Sequence, residues 1–398
     1  MHPHLEDFLS AAERAELEQP TGQAVGLPGR LYAAPEFFEL ERQTLFRRTW
    51  MAVAVASELP NSGDVQPVSA VGWSLVLVRD MSGELNVFHN ICRHRGTAVV
   101  TGAAEQQRVL QCPWHGWCYE LDGTLRGTPE IGGVGQHESD GVDKTRHGLA
   151  QVRSEVWLDI VFVNLDGKAP PLNVYLGAFN RRFESVDFSS LKRAGTWSMT
   201  YPCNWKLAVE SGIEDYHLPH LHPLITDGPV RGDRSVMESD DDVFFLCGEV
   251  SRSQWAEGRG GDNLPALPAI PGLQGDDAVT LFFGHLFPTV VMGMLPDSLY
   301  FGIWLPDGPH RTSLTFHHYF VAEGATGPAL EPTRSHIISS LQEIFSQDVP
   351  VVAATQTRAA ERDALGISQR FSPYWETVVH AFQKTVIKNI AESSDRDS

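Results

Sequence analysis

The chain has 398 residues, 42% hydrophobic and 20% charged, the values of an ordinary globular protein with room for two or three domains. Lys plus Arg number 31 against 50 for Asp plus Glu, and the resulting net charge of −19 disfavours nucleic acid and anionic membrane surfaces as partners. No run approaches the roughly 18 apolar residues of a membrane helix, and Met1-His-Pro-His-Leu-Glu-Asp carries no secretory signal, so the expected location is the cytoplasm, where any pattern among the five cysteines reads as metal or redox chemistry before it reads as disulfides.

Residues 1–48 read as an arm that packs on a later domain. It holds an acidic amphipathic segment (Phe8, Leu9, Ala12, Leu17), a Gly/Pro stretch from Pro20 to Arg30, and Phe37, Phe38, Leu40, Leu45 and Phe46 at near-helical spacing after Pro35. From 49 to 166, short β-type runs (Met51–Val55, Ser74–Val78, Leu85–Phe88, Val109–Gln111, Val156–Asn164) alternate with turn signals such as Asn61-Ser-Gly, Met81-Ser-Gly and Asp122-Gly, predicting a small antiparallel β domain. Lys168-Ala-Pro-Pro reads as a linker into a domain spanning 167–398. In that domain the pattern predicts a helix over Leu176–Phe183, a strand over Gly195–Tyr201, a helix over Trp205–Tyr216 and a polar loop from Asp240 to Gly275. Strands follow over Thr280–Gly293, Leu299–Leu305 and Thr312–Val321. Two helices end the chain, with apolar faces Ile337, Ile338, Leu341, Ile344, Phe345 and Val378, Val379, Phe382, Val386, Ile390.

Two groups of residues carry chemistry. Cys92-Arg-His94 and Cys112-Pro-Trp-His115 each follow a predicted strand, so two loop tips can face one another and form one metal site. Two thiolates and two imidazoles suit tetrahedral zinc or an iron–sulfur cluster with two His in place of two Cys. Zinc sites draw ligands as Cys/Cys and His/His pairs, whereas each loop here donates one of each, which gives each iron of a [2Fe–2S] unit one ligand type. Spacing therefore favours the cluster. Cys118, Cys203 and Cys247 have no such spacing and read as small buried hydrophobes.

The second group lies in Asn204-Trp-Lys-Leu-Ala-Val-Glu-Ser-Gly-Ile-Glu214-Asp-Tyr-His217-Leu-Pro-His-Leu-His222-Pro. Glu214 and His217 share a helical face, and Pro219 is expected to end or kink the helix so that His217 and His222 converge. Two imidazoles and one carboxylate leave open positions on a non-haem Fe(II). Asp348, near the expected end of a helix and following its apolar face, is the candidate carboxylate.

These residues also carry a family resemblance. Cys92-Arg-His-Arg-Gly and Cys112-Pro-Trp-His-Gly-Trp resemble the two cluster loops of Rieske non-haem iron oxygenases. Asn204-Trp-Lys with Glu214-x-Tyr-His217-x4-His222-Pro is similar to that family's mononuclear iron motif, with Asp348 at its third-ligand position. The resemblance implies an α+β fold: a β-rich Rieske [2Fe-2S] domain plus a helix-grip-like catalytic domain whose antiparallel sheet surrounds a C-terminal helix. It implies cluster ligands Cys92, His94, Cys112 and His115, Fe(II) ligands His217, His222 and Asp348, and Asn204 lining the site. Glu214 would be the acid that bridges to a cluster histidine of a neighbouring subunit in a closed head-to-tail ring, usually a trimer, with Asp215 as its rival. His220 has no ligand role. No GxGxxG or flavin stretch is visible, so electrons drawn ultimately from NAD(P)H would arrive through a separate reductase or ferredoxin.

Well-known aromatic-ring dioxygenases of the family carry Asp at the Glu214 position, and Glu is commoner among mono-oxygenases of quaternary ammonium compounds. The expectation is therefore a terminal oxygenase that hydroxylates or demethylates such a compound, with hydroxylation or dihydroxylation of an aromatic acid as the alternative. Phe282, Phe283, Phe287, Tyr300, Phe301 and Trp304 could cage a cation or sandwich an aromatic ring. A bare Rieske electron carrier is the third reading; it would have no use for His217, His222 and Asp348.

Overall fold

A computed structural model describes residues 3–222, 236–240, 243–249, 264–274 and 280–396. The chain divides into two units, Arg47–Leu172 and the residues up to Phe46 together with those from Asn173 onward.

In the Arg47–Leu172 unit the strands are β1 (Met51–Val55), β2 (Val65–Ala70), β3 (Trp73–Arg79), β4 (Leu85–His89), β5 (Leu110–Gln111), β6 (Cys118–Tyr119), β7 (Leu125–Gly127), β8 (Arg153–Trp157) and β9 (Ile160–Asn164). They pair antiparallel in three small sheets of order β1-β9-β8, β2-β3-β4 and β5-β6-β7. Two elements differ from expectation. The run Val156–Asn164 is not one strand, because Leu158 adopts φ +56° and the Asp159 carboxylate accepts from the Ser57 amide (2.8 Å) and hydroxyl (2.6 Å), turning the chain so that Trp157 pairs with Ile160. β2 carries Pro67, which weakens its strand signal, but β2 is an edge strand, where a residue without an N–H is tolerated. Val76, Val78, Phe88, Leu110, Trp117 and Tyr119 pack into a core that includes Cys92 and Cys112.

The larger unit holds β10 (Leu191–Tyr201), β11 (Val236–Asp240), β12 (Val243–Glu249), β13 (Thr280–Leu286), β14 (Val290–Leu295), β15 (Ser298–Pro306) and β16 (Thr312–Val321). They form a seven-stranded antiparallel sheet of order β10-β16-β15-β14-β13-β12-β11. The expected loop after Asp240 is corrected here: β12 hydrogen-bonds to a strand on either side, which outweighs its polar surroundings in the sequence. The expected strand Thr280–Gly293 is two strands, β13 and β14, paired as a hairpin.

One sheet face receives the long helix Glu331–Ala364, whose Phe345 ring packs edge-on against Phe316 of β16 at 4.6 Å. The terminal helix Thr377–Arg396 sets Phe382 against Trp205 (5.6 Å), His285 (5.5 Å) and Phe287 (6.0 Å). The long helix corrects two expectations. It runs 34 residues straight through Pro350, so Asp348 lies mid-helix rather than near an end. Its buried stripe is Phe345, Asp348, Val352, Gln356 and Ala359, while Ile337, Ile338, Leu341 and Ile344 are only partly covered. An internal proline costs a helix about 3 kcal/mol. Tertiary anchors offset that cost, since Gln356 accepts from the Asn204 amide (2.8 Å) and donates to the Tyr32 carbonyl (3.0 Å).

The arm is part of this unit. Lys206 is fully buried with its Nζ 2.5 Å from Glu41 Oε1, between the rings of Tyr32 and Phe37. Burial works against both charges, and each is held by the other.

Candidate metal centres

The two Cys/His loops share one backbone plan. Cys92 N–H donates to Thr97 O (2.8 Å) and Gly96 N–H to Cys92 O (3.0 Å); Cys112 N–H donates to Trp117 O (2.8 Å) and Gly116 N–H to Cys112 O (3.1 Å). Gly96 and Gly116 close the loops at φ +80° and +71°, a conformation that a side chain disfavours. Both thiols are buried, with His94 half-buried and His115 exposed at the tips. The two imidazoles stand edge to face at 4.5 Å, and each has an indole beside it: Trp117 lies flat on His94 at 5.0 Å, Trp114 on His115 at 4.7 Å. The Tyr119 hydroxyl accepts from Arg93 N–H (3.0 Å), which leaves its proton for Cys92 Sγ at 3.3 Å.

These residues fit an iron–sulfur cluster. Burial pushes the Cys92 thiol up, so a bound metal would be needed to hold it as thiolate. His94 Nδ1 is buried without a hydrogen-bond partner, the condition of a ligand atom whose partner is a metal.

The second site is built around a helix break. Asn204 caps the helix Trp205–Ser211 by accepting from Lys206 N–H (3.1 Å), and Gly212 ends it. The expected helix to Tyr216 is therefore too long, and Glu214 and His217 lie in the turn that follows. Pro219 does not break a helix; it sits in the first turn of Leu218–Leu221, where its missing N–H is not needed. In that turn the Glu214 carboxylate accepts from the backbone N–H groups of Tyr216 and His217 and from His217 Nδ1. Glu214 thus fixes both the loop and the ring.

His217 Nε2 and His222 Nε2 stand 3.1 Å apart, with Asp348 Oδ1 at 3.0 Å from His222 and 3.7 Å from His217. The outer nitrogens are committed. His217 donates from Nδ1 to Glu214, and His222 donates from Nδ1 to Gln347 Oε1 at 2.8 Å. Each ring then has its proton outside and its lone pair inside, facing a buried carboxylate oxygen that makes no hydrogen bond. Two lone pairs and an anionic oxygen repel unless a cation lies between them. A proton is the smaller remedy: burial opposes it, but Asp348 and Gln347 outweigh burial and raise the His222 pKa. Two imidazoles and a carboxylate also suit a first-row metal with open coordination positions.

Other sequence expectations are redistributed. Asn204 does not line this site: besides the cap, its amide donates to Pro309 O (3.0 Å), so it positions the helix that precedes the ligand turn. Of the six aromatics, Phe283, Tyr300 and Trp304 share the sheet face of Phe316 and Tyr201, while Phe282 packs on Phe183 and Arg182, Phe301 on Tyr319, and Phe287 on Trp205. Trp197 stacks on Phe316 at 4.4 Å, a closed pair with no space for a cation between the rings. Cys203 is buried and its thiol is pushed up to about 12, and Cys118 is half-buried with its thiol on Gly116 O. The Cys247 side chain lies outside the described residues. Gln347 and Tyr119 were missed by sequence reasoning. Gln347 is signalled by its place next to Asp348, and nothing in the spacing marks Tyr119.

Comparison with known proteins places these features in a family. The sequence matches the ring hydroxylating alpha subunit (catalytic domain) over residues 188–392 and the Rieske [2Fe-2S] domain over residues 49–138. It is 32% identical over 214 residues to the carnitine monooxygenase oxygenase subunit of Escherichia coli K12, covering 53% of this chain and 56% of that one. It is likewise 32% identical over 200 residues to the anthranilate 1,2-dioxygenase large subunit of Acinetobacter baylyi, covering 48% and 41%. The chain thus spans about half the length of the curated relatives it matches. The crystal structure of the quaternary ammonium Rieske monooxygenase CntA with γ-butyrobetaine superposes with a TM-score of 0.75 at 21% identity, over 94% of this chain and 98% of that one, which shows the same α+β fold. No helix among the described residues is long and apolar enough to cross a membrane. A Rieske domain followed by a catalytic domain matched over half of the chain establishes that this protein belongs to the ring-hydroxylating alpha-subunit family.

Proposed function

We propose that this chain is the terminal oxygenase component of a Rieske-type mono-oxygenase that hydroxylates or oxidatively demethylates a small quaternary ammonium compound. The observation that carries the reading is the convergence of two inward lone pairs and the unpaired Asp348 oxygen on one point, held by Glu214 and Gln347. His217, His222 and Asp348 would hold iron, and Cys92, His94, Cys112 and His115 would hold the cluster. When bound, the cluster supplies one-electron storage and the iron supplies O₂ activation.

The protein's own part is position and charge. Glu214 would accept a hydrogen bond from a cluster histidine of a second copy, in a closed cyclic assembly, a trimer by preference. Complementary charge supports this. The exposed loop tips carry Arg93, Arg95 and Trp114, with Arg95 over the indole at 4.5 Å, whereas Glu214 has Glu376 and the stacked Tyr216 and Trp375 as neighbours. Electrons would come from a separate reductase or ferredoxin and ultimately from NAD(P)H, in the cytoplasm. The working division is arm 1–48, cluster domain 49–166 and catalytic domain 167–398.

The carnitine-oxidising relative and Glu214 support the quaternary ammonium class. The anthranilate relative favours the second reading, oxidation of an aromatic acid. A single-turnover experiment separates them: the protein is reduced without its reductase, then given O₂ with carnitine or with benzoate, and cluster reoxidation and product are followed. Carnitine-dependent reoxidation with oxidised product supports the proposal. A response to benzoate alone overturns the substrate class.

A further inference from the structure

We propose that Tyr201 is a positioning residue for the iron site: its hydroxyl pins the turn of the long helix that carries Gln347 and Asp348, so that the short segment Tyr201–Asn204 sets the carboxylate in register with His217 and His222. The metal rests on the reading above; the clamp rests on hydrogen bonds within the catalytic unit.

In a regular α-helix each carbonyl accepts from the N–H four residues on. Pro350 has no N–H to give Ser346 O, and its ring crowds that carbonyl, so the turn that holds Gln347 and Asp348 has fewer internal bonds than its neighbours. Tyr201 supplies a bond from outside. It ends β10, sets its fully buried ring edge-on to Trp304 at 4.8 Å, and donates its hydroxyl to Phe345 O at 2.7 Å, one turn before Asp348. Burial and the charge of Asp348 both push the phenol's pKa up, so the hydroxyl keeps its proton and remains a donor.

The same segment grips the helix a second time. The Asn204 N–H donates to Gln356 Oε1 at 2.8 Å. Phe345, Asp348, Val352 and Gln356 lie on one buried stripe, so the two anchors bracket Asp348 along its own face. The segment is itself fixed to the sheet: Thr312 of β16 pairs with Tyr201 and donates its hydroxyl to Cys203 O at 2.9 Å, and the Asn204 side-chain amide donates to Pro309 O at 3.0 Å. From Asn204 the chain runs directly into the helix Trp205–Ser211, which leads to the Glu214–His217 turn. The histidines and the carboxylate are distant in sequence, and the segment is a rigid tie that reaches the elements carrying both.

The test uses holoprotein depleted of mononuclear iron, kept anaerobic with the cluster oxidised. Fe(II) is titrated against a competing chelator, and nitric oxide is then added as a probe whose ferrous complex gives an EPR signal sensitive to the ligand geometry. A neutral hydrogen bond is worth roughly two- to tenfold in an equilibrium constant. Tyr201→Phe, which keeps the ring, should weaken Fe(II) binding by about three- to tenfold and shift or broaden the nitric oxide signal, with cluster absorbance unchanged. Thr333→Val is the control for general loosening, because it removes a hydroxyl bond to Pro265 O (2.7 Å) from the same helix outside the bracket. It should lower thermal stability to a similar extent while iron affinity stays within about twofold and the signal keeps its shape. Iron affinity and signal unchanged in Tyr201→Phe, or changed equally in Thr333→Val, overturns the clamp and leaves the iron site standing. If Asp348→Ala keeps its iron, the reading of the site itself fails and the clamp falls with it.

Discussion

Gln347 offers the sharpest test of how the proposed iron site is held. It accepts the Nδ1 proton of His222 at 2.8 Å, at a ring only 1% exposed, and so fixes the lone pair on the side that faces Asp348. Gln347→Ala leaves a buried N–H unpaired, at a cost of about 1–3 kcal/mol, and frees the ring to rotate or change tautomer. Outer partners of ligating histidines are typically worth about ten- to a hundredfold in metal affinity, or about 1.4–2.8 kcal/mol. The assay is Fe(II) titration of metal-depleted protein against a competing chelator, with cluster absorbance as an internal control for global damage. The expected result is a tenfold or larger loss of iron affinity with cluster content unchanged, and recovery in Gln347→Glu, whose carboxylate accepts the same proton. Iron affinity within twofold of the parent, or parallel loss of the cluster, would refute the reasoning. Protons compete for the same lone pair, so affinity in the parent should fall as pH drops through the raised His222 pKa.

Asp348→Ala should abolish iron binding and turnover while the cluster keeps its absorbance; retained turnover would return the carrier reading. Tyr119→Phe removes the hydroxyl beside Cys92 and should make the cluster harder to reduce, seen as a more negative midpoint in a redox titration. Burial raises the Glu210 carboxyl to about 7 despite hydrogen bonds from Tyr32 and Gln383, so its contribution to stability is full below about 4.5 and is lost as pH rises through 7. The loss amounts to about 3 kcal/mol. Glu210→Gln should therefore flatten the decline in denaturation midpoint between pH 5 and pH 8, and an unchanged slope would assign that decline elsewhere. Lys206→Met should cost about 3–5 kcal/mol by stranding Glu41, and Lys206→Met with Glu41→Leu should recover most of it; equal losses would show that packing, not charge, is at stake.

What the sequence could determine was local. The Cys/His loops are legible because a cluster needs specific atoms at short spacing, with glycine where the backbone turns at positive φ, and residues 92–96 and 112–116 hold all of that within five positions each. His217 and His222 are legible for the same reason, and Glu214 because it lies within hydrogen-bonding reach along the chain. The helix limits around them were not. Gly212 ends one helix and Pro219 starts another, while Pro350, the stronger local stop signal, is overridden by the anchored stripe from Phe345 to Ala359. Tertiary pairing likewise made a strand of Val243–Glu249 and a hairpin of Arg153–Asn164. Asn204 read as a lining residue and proved to be a cap, because a side chain's direction depends on where the helix begins. The partners Gln347 and Tyr119 needed the fold, since their roles come from the atom they face in another element, and no spacing along the chain encodes that.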